Sequence, residues 1–259
     1  MASIDIITTA SFAYKKTWDE RAYLFPMVVL PLLIKFFFYN LAEIFVDGDN
    51  ILRFSIFMLP AYFAEGWLLS HWARTIILGH RWPFKPTGND EEDNKKLSER
   101  ARGVLGGAVA FTLINILMGG YFHLFTSFIP LDINPQEAEP SVAMMGVLMM
   151  ISTFLLFRYI WFYIPLSANI SPRYFFEKVK PLRVTYQMIG IWLVCFIPAV
   201  VALQFFGGVL SGMMVEGQSH PIIVNLLNFL HITLDTIKNL ICTAGMAYAV
   251  LVLLKGKSA

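Results

Sequence analysis

Two lone charges stand inside otherwise apolar runs of this chain. Lys35 lies near the middle of the run 24–46 and Glu65 near the middle of the run 54–78. A charge at bilayer depth costs about 2.5–3.5 kcal/mol on insertion scales, so it is retained when paired or when it works. The runs are joined by a short turn, DGDN at 47–50, so they are expected to be antiparallel neighbours. Lys35 and Glu65 can then meet as an intramembrane ion pair, a structural pair in one reading and a gate or proton site in another. A third reading lets the Lys35 ammonium snorkel to an interface.

Asp235 and Lys238 are one helical turn apart and can pair within their own helix. His231 precedes them, and His71, His80, His123 and His220 are scattered. A lone histidine is no metal site, which needs further donors at matching spacing. Cys195 and Cys242 sit inside apolar runs and read as small buried hydrophobes. No phosphate-binding glycine loop, H-E-x-x-H or G-x-S-x-G motif occurs. No catalytic residue, metal or cofactor is therefore expected.

The elements that hold these residues are set by composition. Of 259 residues, 57% are hydrophobic and 15% charged, against about 45–50% and about 25% in a soluble domain. The apolar residues form runs long enough to cross a hydrocarbon core, which takes about 20 helical residues. The net charge of +2 offers no field for nucleic acid. The expected fold is all-α, an integral membrane bundle of six transmembrane helices at about 24–46, 54–78, 104–129, 142–164, 187–213 and 236–254, forming one membrane domain over 24–254. The final apolar run, 222–254, exceeds one simple span and holds the polar patch HITLDTIKN. The preferred division makes 222–235 a separate interfacial or re-entrant piece, and a long tilted helix is the alternative.

Residues 1–23 read as a cytoplasmic amphipathic helix on the membrane surface. Ile4, Ile7, Ser11, Tyr14 and Trp18 recur at helical spacing. The first apolar run lacks a small-residue cleavage site, so the first span is expected to stay. The stretch 80–103 reads as a charged cytoplasmic loop with an acidic and then a basic half, the second half able to open the third span. PLDINPQEAEP at 130–140 and EGQSHP at 216–221 are the other polar loops.

Orientation follows from Lys and Arg. The segments holding Lys15, Lys16, Arg21, Arg81, Lys85, Lys95, Lys96, Arg100, Arg102, Arg173, Lys178, Lys180, Arg183, Lys255 and Lys257 fall on one side. The opposite side holds only Arg53. The positive-inside rule then puts both termini in the cytoplasm. Arg74, Arg158, Arg173, Lys178, Lys180 and Arg183 are candidates for lipid-headgroup contact. Gly103/Gly107 and Gly208/Gly212 have the small-xxx-small spacing that permits close helix approach, within the chain or in self-association.

The central stretch RYIWFYIPLSANISPRYFFEKVKPLR, from Arg158 to Arg183, ends an apolar run in Arg and aromatics, passes Pro165 and leads through Lys180 to another run. With Phe12 and Trp18 before the first run and GWLLSHWARTIILGHRWPF after the first pair, this layout resembles the YciC-like bacterial inner-membrane proteins. It also resembles the membrane domain attached to some glycerophosphodiester phosphodiesterases. Phe176 to Gln187 departs from the family's usual stretch after the proline. The resemblance implies a six-span inner (plasma) membrane protein and supplies no catalytic residue. The first expected function is a non-enzymatic protein acting through lipid or protein contacts, in an envelope process or a membrane assembly. The second is a small-solute transporter or channel using Lys35 and Glu65.

Overall fold

In the computed structural model, residues 4–46, 50–128, 140–212 and 221–255 are described, and every regular element among them is helical. The turn at 47–49, the loop at 130–139, residues 216–220 and Lys257 lie outside the described residues.

Helix α1 spans Ile6–Asp19 and is capped by Asp5, whose carboxylate accepts from the Thr8 N–H at 2.6 Å. It packs its Thr9, Ala10 and Ala13 face against α9 (Leu182–Ser211) and α10 (Pro221–Lys255). The Tyr14 hydroxyl donates to the Val194 and Cys195 carbonyls, and Phe12 stacks on Tyr248. Of the residues expected to face the membrane, Ile4 is buried. Ile7 and Trp18 are exposed, while the small residues turn inward, where they let α1 come close to Gly245.

Helix α2, Arg21–Phe45, is followed by short α3, Ile51–Phe57, and α4, Leu59–Leu78. Gly79 ends α4 in the left-handed conformation at φ 72°. Helix α5 runs from Asp90 to Phe128. The expected loop 80–103 is thus helical from Asp90 onward. The four acidic residues 90–93 occupy the first turn, where the helix dipole favours negative charge, and Asp93 accepts from Thr87 and Gly88.

The fourth expected span, 142–164, is not one helix. Helix α6, Pro140–Leu156, tightens into a 3₁₀ segment over Phe157–Phe162 and resumes as α7, Tyr163–Ser167. Pro165 has no N–H to return to the Trp161 carbonyl, which loosens the α-helical ladder there. Helix α8, Pro172–Val179, leads to α9. The final run is a single helix, α10, of 35 residues. At 1.5 Å per residue it reaches roughly 50 Å, so the expected division at 235 does not occur.

Five helical stretches are long and apolar enough to cross a membrane: Arg21–Phe45, Asp90–Ser127, Val142–Ser167, Leu182–Val209 and Ile222–Leu254. This is the build of a multi-pass membrane protein. Helix α4 falls short of that measure because it carries Glu65, His71 and Arg74, yet it is the centre of the bundle. It is packed by α2, α5, α7 and α10, with eleven of its 20 residues buried. Its polar groups face protein. Cys195 and Cys242 are both free and buried in the same core.

A charged network on the wall of a central cavity

Helices α2, α4 and α10 bring Lys35, Glu65, Asp235 and Lys238 together. The Lys35 ammonium donates to both Glu65 oxygens, at 2.8 and 2.7 Å, and to Asp235 Oδ2 at 2.6 Å. Its three donors are thereby used. The Asn239 amide donates to Glu65 Oε1 at 2.8 Å and to Asp235 Oδ2 at 3.3 Å. Lys238 donates to Asp235 Oδ1 and lies 5.6 Å from the Phe196 ring. Two cations and two carboxylates therefore form one neutral network. Lys35 and Glu65 lie at its dry side, with side chains 8% and 3% exposed, and Asp235 and Lys238 at its open side, 28% and 20% exposed.

Asp235 joins the network because α10 is unbroken. A continuous helix carries residues 231–239 inward alongside α2 and α4, whereas the divided reading leaves them at an outer interface.

The network forms part of the wall of a cavity of about 550 Å³. Tyr39, Tyr62, Phe111, Trp161, Trp192 and His231 are among its aromatic walls, and Asn115 and Thr153 add polar groups. The Trp161 indole N–H is buried with no acceptor among the described residues. Such a volume, mostly apolar and rich in aromatic side chains with a few convergent polar groups, has the character of a small-molecule site.

A polar stripe leaves the network along the α2–α10 seam. On α2 it comprises Lys35, Tyr39 and Glu43, each four residues on; on α10 it comprises Asp235, His231 and Asn228. Tyr39 and His231 rings lie 6.0 Å apart, and the Asn228 amide donates to Asn40 and to Glu43 at 2.7 Å. This stripe is present in the sequence as helical spacing, but only the facing of the two helices reveals it. On the other side the core is dry. Leu68, Trp72, Ile164 and Met246 are fully buried, the Trp72 indole donates to the Leu240 carbonyl at 3.0 Å, and the Tyr163 hydroxyl bonds Thr243 at 2.7 Å. These residues close the cavity toward the C-terminal end of α4, where Arg74, Arg81 and Arg100 lie together.

At that basic end the expected headgroup residues are placed differently from one another. Arg74, buried, donates to the Ser167 carbonyl at 2.6 Å. Arg158 donates to the Val179 and Lys180 carbonyls, 3.2 and 2.6 Å away, and stacks on Tyr159. Both arginines satisfy carbonyls left open at the C-terminal ends of α7 and α8. Arg173 pairs with Glu177, Lys178 lies over Tyr174, and Lys180 and Arg183 are exposed. Glu20 bonds Lys16 at 2.9 Å and Arg81 at 2.5 Å. Burial raises its carboxyl, but these two hydrogen bonds outweigh it and hold the group below the ordinary carboxylate range.

The two glycine pairs separate cleanly. A Cβ on Gly103 would come within 2.3 Å of the Arg74 guanidinium and 2.5 Å of the Ser167 carbonyl; one on Gly107 would meet Ser70 Oγ at 2.3 Å. These glycines seat α5 on α4 and α7. A Cβ on Gly208 would meet nothing within 4 Å, and one on Gly212 only its own helix, so neither position demands glycine for close approach. Gly66 and Gly119, which the spacing argument passed over, are also tight, a Cβ meeting the Ala108 carbonyl at 2.9 Å and Ser55 Oγ at 2.0 Å.

Among the described residues no group of three His, Cys, Asp or Glu could hold a metal ion. Comparison of the chain with protein-family models, with curated proteins and with solved structures finds no match.

Proposed function

We propose that this protein takes a small solute into the central cavity and passes it across the membrane, with the Lys35–Glu65–Asp235–Lys238 network as the coupling site. One observation carries the reading: a network of two cations and two carboxylates, set among long apolar helices, has its partly exposed half on the wall of a cavity of about 550 Å³. Ionisable groups inside a bilayer mark solute, ion or proton pathways. The open Asp235 and Lys238 and the unpartnered Trp161 N–H suit a solute carrying both donor and acceptor groups, held against aromatic walls. The α2–α10 stripe is its approach, and the Trp72–Leu240 plug is the closed gate. The solute leaves unchanged, which makes the protein a carrier rather than an enzyme.

In this reading α4 is the sixth span. The Lys and Arg bias puts the basic end and both termini in the cytoplasm, across a bacterial inner membrane, with α1 wedged at that face. The likeness to YciC-like proteins, resting on the Arg158–Arg183 layout, belongs with it. A second reading, an accessory protein working through lipid or protein contacts, is favoured by α6. Only 6% of the most apolar window of Val142–Ser167 is buried, leaving a face that a partner helix or a second copy would cover.

The test is a thermal-shift screen in mild detergent with amino acids, organic cations and organic acids, on wild type and on Lys35→Leu/Glu65→Leu. Ligand at about 100 Kd stabilises by about 2.7 kcal/mol. The carrier reading expects a solute class that stabilises wild type, is lost in the double variant and is taken up by proteoliposomes. Equal stabilisation of both proteins, without uptake, counts against it.

A further inference from the structure

The basic end holds a second feature that the carrier reading does not use. Arg100 on α5 is 5% exposed. Its guanidinium donates to the Arg81 carbonyl at 2.7 Å and lies 3.4 Å from His71 Nδ1, which engages two of its five N–H groups; the buried Nε–H has no acceptor among the described residues. No salt bridge reaches Arg100 among the described residues, and Glu99 beside it is exposed. A buried cation without a counter-ion is costly.

The surroundings say what would balance it. Trp67, His71 and Trp82 stand in a row, the His71 ring 4.6 Å from Trp67 and 5.5 Å from Trp82, and the Arg100 guanidinium sits 5.1 Å over Trp82. An apolar groove flanks each side of this row. One, of about 370 Å³, runs between α4 and α5 past Arg100, Val104 and Phe63. The other, of about 420 Å³, runs along α2 past Pro26 and Leu30, and Trp67 and Trp82 border both. From Arg100 to Ala108 the first groove follows α5 for roughly 12 Å, from the basic end toward the middle of the bundle. Arg81, whose carbonyl takes the Arg100 hydrogen bond, has a side chain 60% exposed and also bonds Glu20 at 2.5 Å, so the uncompensated charge is that of Arg100.

We propose that this paired groove is a binding site for one anionic phospholipid, with its phosphate against Arg100 and Arg81 and its two acyl chains straddling Trp67 and Trp82. The apolar grooves select acyl chains over a free anion, and the uncompensated guanidinium selects an anionic headgroup over a zwitterionic one. The site lies outside the central cavity and does not depend on what that cavity carries.

The experiment uses the full chain, delipidated in detergent and returned to vesicles of phosphatidylcholine alone or of equimolar phosphatidylcholine and phosphatidylglycerol. Retained lipid is counted by native mass spectrometry. Wild type is expected to keep one phosphatidylglycerol. Arg100→Gln should lose roughly tenfold of the preference over phosphatidylcholine, the fold-change of one charge-assisted hydrogen bond. Ala101→Trp, which fills the α4–α5 groove and leaves every charge in place, should lose retention of either lipid and remains informative if Arg100→Gln does not fold. Equal retention of both lipids by wild type, or undiminished phosphatidylglycerol retention in Ala101→Trp, overturns the proposal. So does protection from phosphatidylglycerol by inorganic phosphate, which would mark a site for the free anion.

Discussion

Removing Lys35 alone should be far more damaging than removing it together with Glu65. In Lys35→Leu, Glu65 keeps only the Asn239 amide at 2.8 Å, and its side chain is 3% exposed. A buried carboxylate is left without its cation, which costs about 3–5 kcal/mol. For a chain of this size that lowers Tm by roughly 10 °C. In Lys35→Leu/Glu65→Leu no charge is stranded, because Asp235 keeps Lys238 and Asn239. Replacing a buried ion pair by apolar side chains is often neutral or stabilising by about 1–4 kcal/mol. Glu65→Leu should fall between the two, since Lys35 retains Asp235 at 2.6 Å. The assay is thermal unfolding of the three variants in the same mild detergent, read as a double-mutant cycle. Additive losses, with the double variant the least stable, would refute the reasoning, because they would mean that Lys35 and Glu65 do not share one network.

Gly103→Ala should destabilise by about 1–3 kcal/mol through overpacking, since the new Cβ meets the Ser167 backbone carbonyl at 2.5 Å. Gly208→Ala, facing open space, should be neutral or gain up to about 1 kcal/mol from helix propensity; unfolding of both variants checks the contrast. Glu20 has its carboxyl held low by Lys16 and Arg81 against the opposing effect of burial. Its contribution is therefore present above the ordinary value of 4.5 and fades as pH falls through the depressed folded value. Glu20→Gln should lower stability at neutral pH and flatten the acid limb of Tm against pH. Trp72→Phe deletes the donor to the Leu240 carbonyl and should cost about 1–3 kcal/mol, with increased solute leak through proteoliposomes.

Lys35 and Glu65 were legible because each is a single charge in a long apolar run, and a short turn between runs forces adjacency. Asp235 was legible only as half of a local pair with Lys238, because reading 222–254 as two pieces removed it from the membrane interior. The length of α10 depends on tertiary packing against α9, α1, α4 and α2, which no local pattern carries. The face that α1 packs on the protein had no signal in hydrophobic periodicity, because close approach to α10 selects small residues, and Ala10 and Ala13 are buried there. The 3₁₀ turn over Phe157–Phe162 had a signal in Pro165 four residues after Trp161. Arg74 and Arg158 looked like headgroup contacts because their acceptors are backbone carbonyls, which have no sequence signature.

The central claim is that the Lys35–Glu65–Asp235–Lys238 network lines a solute-accessible cavity closed toward the basic end. It is tested most directly by labelling Asn115→Cys, on the cavity wall, and Ala73→Cys, in the fully buried core beside Trp72, each with Cys195 and Cys242 replaced by Ala. A charged, membrane-impermeant thiol reagent is applied to right-side-out and then to inverted vesicles. The account predicts rapid labelling of Asn115→Cys from the face bearing Glu43 and Asn228, no labelling from the basic face, and protection of Ala73→Cys from both. Protection of Asn115→Cys on both faces would contradict it.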